Sequence, residues 1–206
     1  MRWDRFFEDI EDQLASEWEA ERAALETEAE RLRLARITLH ERLAALVATG
    51  DADPVAAGLE LRGGATLSAP VAGLGADWLL ASPWGSRSGA ALVPLSAIAG
   101  VTLPHAALLR SARPETAASG SAVSRRATFG FAVRDLVRRR SGVTVHEVDG
   151  RSVTGTIDRA GADHLDLAVH ERGAIRRAAE VTGYRIVPFA AVAWIGIDGH
   201  AESLRV

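Results

Sequence analysis

From Trp3 to about Thr49 the chain has neither proline nor glycine and consists mostly of good helix formers, and Gly50 then supplies a stop. This pattern predicts one long charged helix over residues 1–50. Trp18, Leu25, Leu32, Leu39 and Leu46 recur every seven residues and lay one apolar stripe along it. The companion positions, Arg22, Ala29, Arg36 and Leu43, are weaker, so the half-seam predicts a docking face, with self-association as a coiled-coil dimer as the alternative. Trp3, Phe6, Phe7 and Ile10 add an apolar patch at the tip of the helix, a candidate partner-binding surface.

From Pro54 to Pro104 the texture changes to short apolar runs punctuated by glycine, the pattern of several brief strands, and it returns from Gly142 to Ile197. The two stretches align as an internal repeat. Gly64 matches Gly150, Leu67 matches Val153, Val71 matches Ile157, Gly75 matches Gly161, Asp77 matches Asp163 and Leu79 matches Leu165. After a loop that is longer in the second copy, Val93-Pro94-Leu95 matches Val187-Pro188-Phe189, Ile98 matches Val192 and Val101 matches Ile195. Each copy reads as five short strands, which predicts a small barrel. The turn positions Asp77 and Trp78 in one copy, and Asp163 and His164 in the other, mark equivalent sites.

Residues 105–127, rich in serine, alanine, threonine and glycine toward their end, predict a flexible linker. Thr128 offers a cap to a short Arg-rich helix over 128–140, with Phe129, Val133 and Leu136 on one face. The net charge of −3 is unevenly spread, because residues 1–46 carry a net −5 and residues 110–140 a net +6. Arg125, Arg126, Arg134, Arg138, Arg139 and Arg140 are therefore candidate nucleic-acid-binding residues, since clustered guanidinium groups bind phosphates through forked, charge-assisted donors. All basic residues are arginine, however, which matches the coding bias of a GC-rich bacterial genome and lowers the weight of arginine counts. Pairing of the patch with acidic groups is the competing reading.

The pattern Gly150-Arg151-Ser152-Val153-Thr154-Gly155-Thr156-Ile157 followed by Gly161-Ala162-Asp163-His164-Leu165 resembles the Sm-like family. So does its counterpart, Gly64-Ala65-Thr66-Leu67-Ser68-Ala69-Pro70-Val71 followed by Gly75-Ala76-Asp77-Trp78-Leu79. The resemblance implies an α+β, mainly β architecture: a long N-terminal helix and then two Sm-like five-stranded small barrels, at 54–104 and 141–206, each preceded by a helix. It implies an RNA-related or assembly role. The family's asparagine after the turn aspartate is absent from both copies, and its late Arg-Gly pair is replaced by Val93-Pro94 and Val187-Pro188. Each proline removes a backbone donor and counts against edge pairing of that strand with a neighbour.

Absence of cysteine excludes disulfide scaffolds, thiolate catalysis and cysteine-ligated metals. With no signal peptide and no apolar run of membrane-spanning length, the expected location is the cytoplasm, with no membrane partner. Asp163, His164, Asp166 and His170 have a spacing that could place metal ligands on one strand, but Trp78 stands in the other copy where His164 stands, so a solvent-facing strand is the expectation and no metal is assigned. Gly85-Ser86-Arg87-Ser88-Gly89 has the spacing of a nucleophile elbow with arginine in place of the nucleophile, and reads as a hairpin tip. No catalytic residue, cofactor or small-molecule substrate is expected. The chain reads as a non-enzymatic binding protein that contacts RNA through the Arg-rich helix. The alternative is an adaptor that binds other proteins, or its own copies, through the N-terminal helix and the barrel edges.

Overall fold

The leading helix ends sooner than its composition predicts. In the computed structural model, which describes residues 2–47, 55–82, 89–113, 126–173 and 177–198, with residues 2–12 and 15 by their backbone alone, α1 spans Arg2–Arg36. Ile37 and Thr38 follow it outside any helix, two successive β-branched residues whose restricted rotamers weaken a helix. Arg33 and Arg36 occupy its last turn, where cations favour the dipole, and Arg33 also pairs with Glu30 at 2.6 Å. The expected single helix over 1–50 is thereby corrected to α1 and a separate short helix, α2 (Leu39–Ala44). The chain divides between them into two compact units, Met1–Thr38 and Leu39–Val206. The seven-residue stripe divides too: Trp18, Leu25 and Leu32 are exposed on α1, whereas Leu46 is buried in the second unit.

The described residues of the second unit form ten strands: β1 (Ala56–Leu61), β2 (Thr66–Leu74), β3 (Trp78–Ala81), β4 (Ala90–Pro94), β5 (Ile98–Thr102), β6 (Gly142–Glu147), β7 (Ser152–Ala160), β8 (His164–Val169), β9 (Gly183–Pro188) and β10 (Val192–Ile197). Helix α3 (His105–Ser111) and helix α4 (Phe129–Arg139) lie between the two sets of five. The two sets repeat one register. Leu59 faces Leu67 as Val145 faces Val153, Leu59 faces Val101 as Val145 faces Ile195, and Leu79 faces Val93 as Leu165 faces Val187. Even the bulge recurs, between Val71 and Gly73 and between Ile157 and Arg159.

These sets do not form two separate Sm-like five-stranded small barrels. They form one ten-stranded antiparallel sheet in the order β5-β1-β2-β3-β4-β10-β6-β7-β8-β9, because β10 pairs with β6 on one side and with β4 on the other. The sequence reason lies in β3 and β4. Trp78-Leu79-Leu80-Ala81 and Ala90-Ala91-Leu92-Val93 are apolar at every position, the signature of strands covered on both faces. Trp78, Leu80, Ala90 and Leu92 pack with Phe129, Val133 and Leu136 of α4 and Ile195 of β10. Leu79, Ala81, Ala91 and Val93 pack on the opposite side with Leu43, Leu46 and Leu59. A free-standing barrel would leave the first of these sets in water.

Two smaller corrections follow. His105–Ser111, expected within a flexible linker, is helical and fastened to α2: Arg42 donates to the Ser111 hydroxyl at 2.9 Å and to the Leu108 carbonyl at 3.1 Å. Residues 114–125 of that expected linker, like Ser86 to Ser88 of the expected hairpin tip, lie outside the described residues. Nor does the Thr128 side chain cap α4; Asp77 does so from the first set, its carboxylate accepting the Phe129 amide at 2.6 Å.

The repeat supplies a matched stability test. Leu92 of β4 and Ile186 of β9 are equivalent, but Leu92 is 1% exposed and Ile186 is 70% exposed. Leu92→Ala is expected to cost roughly 2–5 kcal/mol in urea denaturation, and Ile186→Ala to change stability by no more than about 0.5 kcal/mol.

Candidate interaction surfaces

The Arg-rich helix is less open to phosphate than its composition suggests. Asp135, on the same helix and 7% exposed, accepts from Arg138 at 2.8 Å and from Arg139 at 2.6 Å. The spacings are i,i+3 and i,i+4, those at which helical side chains meet, and a buried carboxylate needs such partners. Arg134 donates to the Gly161 carbonyl at 3.3 Å. Arg126, Arg134, Arg138, Arg139 and Arg140 are all exposed, Arg140 ending the helix in the left-handed conformation with φ 52°. Arg125 and the side chains of Trp3, Phe6, Phe7 and Ile10 lie outside the described residues.

The two repeat turns have unlike surroundings. Around Asp77 and Trp78, the Trp78 indole donates to the Ala127 carbonyl at 2.9 Å and the Ala76 amide donates to the same oxygen at 2.9 Å. The turn thus grips the chain entering α4. Gly75 is required here, because a Cβ would run into the Trp78 indole and come within 2.6 Å of the Ala127 carbonyl. Asp163 and His164 carry no such cover, with side chains 89% and 43% exposed. They bond each other at 2.9 Å, and this hydrogen bond from His164 holds the Asp163 carboxyl below its ordinary range. Among the described residues no three metal-ligating side chains gather. His170 is buried, its Nδ1 donating to the Glu171 carbonyl at 2.9 Å and its Nε2 hydrogen-bonded with the Thr156 hydroxyl at 2.8 Å.

Among the described residues the outermost strands, β5 and β9, each have a sheet neighbour on one side only. On β9, Tyr184 and Ile186 stand 72% and 70% exposed at the positions equivalent to buried Ala90 and Leu92. Exposed apolar side chains on an unpaired edge are what proteins ordinarily avoid. Arg185 between them is held from below, donating to Glu147 at 2.8 Å across to β6. Glu147 is itself buried, and its Oε1 has no hydrogen-bond partner among the described residues. The sequence reading did not single out Tyr184, Ile186 or Asp135. The two aligned copies held the signal for the strand: Tyr184-Arg185-Ile186-Val187 alternates where Ala90-Ala91-Leu92-Val93 does not.

His146 and Trp194, cross-strand neighbours on β6 and β10, stack with ring centroids 3.7 Å apart and planes 4° from parallel. Burial, and secondarily repulsion from Arg172, pushes the His146 imidazole below its ordinary range. The fold therefore favours neutral His146, and its contribution to stability is whole above the ordinary histidine range and shrinks as pH falls through it. Imidazole proton NMR is expected to show His146 titrating below the ordinary range. Arg172→Ala should raise its midpoint only part of the way back, since burial is the larger cause.

No helix among the described residues is long and apolar enough to cross a membrane. Neither the protein-family models nor the curated proteins contain a match to this chain.

Proposed function

We propose that this chain is a non-enzymatic protein-binding scaffold that takes partners on its free sheet edges, with exposed α1 as a second contact surface. One observation carries the reading: β9 is an unpaired edge strand bearing exposed Tyr184 and Ile186, while the equivalent strand β4 is paired and buried. Unpaired backbone groups supply affinity for an added strand, and alternate side chains supply selectivity. The exposed Trp18, Leu25 and Leu32 on α1 add an apolar stripe of the kind partner helices recognise.

Binding of RNA through the arginines is the competing proposal. Asp135 already engages Arg138 and Arg139, so fewer free guanidinium groups remain for phosphate. Among the described residues catalysis has little support in the side chains: the hydroxyl–imidazole pair of Thr156 with His170 is buried at both members.

The test is affinity capture of the full chain from cells, with and without nuclease, alongside a Tyr184→Ser, Ile186→Lys variant and an Arg138→Ala, Arg139→Ala, Arg140→Ala variant. Nuclease-resistant proteins should co-purify with the wild type and the arginine variant and fall about tenfold in the edge variant, the loss set by two apolar anchors. RNA enriched with the wild type and lost with the arginine variant, without protein partners sensitive to the edge substitutions, would replace this reading by the nucleic-acid one.

A further inference from the structure

We infer that α1 pairs with α1 of a second copy as an antiparallel two-helix coiled coil centred between Arg22 and Leu25. This rests on the protein-binding reading above and names the partner of its second contact surface.

The seam is marked by exposure and spacing together. Trp18, Leu25 and Leu32 stand 75%, 66% and 52% exposed, at seven-residue intervals along a helix of 35 residues. A seven-residue repeat keeps one stripe facing a partner helix along its whole length. The positions four residues on, Arg22, Ala29 and Arg36, complete the seam.

Charge fixes the orientation. Residues 1–19 hold seven acids against two arginines, whereas residues 20–36 hold four acids against four arginines. A parallel pair would lay the two acidic ends side by side. It would also set Arg22 against the partner's Arg22, and Arg36 against the partner's Arg36, inside the seam. Its flanking attraction, Glu28 with the partner's Arg33, competes with Glu30, which already holds Arg33 at 2.6 Å. An antiparallel pair sends each acidic end toward the partner's neutral half and sets the two helix dipoles head to tail.

The same residues fix the register. The two kinds of seam position meet across an antiparallel pair, so Trp18 faces the partner's Ala29 and Leu25 faces the aliphatic stem of the partner's Arg22. Large lies against small in the outer layer, as close packing asks. In the central layer the Arg22 guanidinium comes between the partner's Glu21 and the partner's Glu28, where its forked donors can serve both carboxylates. A shift of one heptad either way would leave that guanidinium with one of the two acids. A charged residue in the seam lowers stability and specifies the alignment, which makes the dimer reversible.

All tests use the full chain. Leu25→Glu buries an unpaired charge near the centre and should raise the concentration of half-association in sedimentation by at least about tenfold. Leu34→Glu, outside the seam on the same helix, should leave it unchanged. The chain has no native cysteine, so nitroxide labels on Gln13→Cys and on Ala24→Cys report the orientation directly. In the antiparallel pair the two Ala24 labels are almost level, while the two Gln13 labels are separated along the axis by roughly 30 Å. The dipolar distance at Gln13 should therefore be much the longer. Equal short distances at both positions, a dimer indifferent to Leu25→Glu, or monomers throughout would overturn the inference. Protein partners captured by a monomeric chain and lost with Leu25→Glu would overturn self-pairing alone and leave α1 as a contact surface for other proteins.

Discussion

The pairing of β4 with β10 joins two halves of a sheet through only three facing residue pairs, and its strength comes from what lies above and below the strands. On one face Trp78, Leu80, Ala90 and Leu92 need α4 and β10; on the other Leu79, Ala81, Ala91 and Val93 need α2 and β1. Neither half can cover both faces alone. Burying a side chain such as Leu92 stabilises by roughly 1.5–3 kcal/mol, so four on the joint-facing side outweigh the few backbone bonds. The grip of Asp77 and Trp78 on the start of α4 then fixes the helix over the face it must cover.

The same repeat behaves differently at its other end because four side chains differ. His164, Asp166, Tyr184 and Ile186 replace Trp78, Leu80, Ala90 and Leu92. Two polar groups on β8 let that face meet water, while the two large apolar groups on β9 do not suit it. Repeated architectures ordinarily end in a polar outer face. Here the ending is half made, with polar side chains on β8 and exposed apolar ones on β9.

How much of this was legible in the sequence depended on the range of the interactions. Strands, turns and their register are local, and the glycines, the Gly-x-Asp turns and the Val-Pro endings marked them twice over. What decides between two barrels and one sheet is non-local: the partner of β4 lies about a hundred residues away, and nothing near Leu92 names Ile195. The clue was the missing alternation of β3 and β4, visible beside β8 and β9 and consistent only with cover on both sides. The Arg-rich helix shows a different limit. Charge counts ignore geometry, and a single Asp135, three and four residues from Arg138 and Arg139, ties up both. The break at Ile37–Thr38 was local and legible, but the absence of glycine and proline obscured it.

Covalent linkage explains how so short a joint can be permanent inside the chain. Residues 103–128 join the two sets of five strands in one chain, which makes the meeting of β10 with β4 an intramolecular event at an effective concentration on the order of millimolar. An identical surface on a separate chain has no such advantage and must offset the lost translational and rotational freedom of two bodies. Were β8 and β9 as apolar as β3 and β4, that cost would be met and the chain would add copies without control, as uncovered edges do. His164 and Asp166 make the outer face of β8 more polar than its counterpart on β3, while Tyr184 and Ile186 leave two apolar side chains exposed on β9.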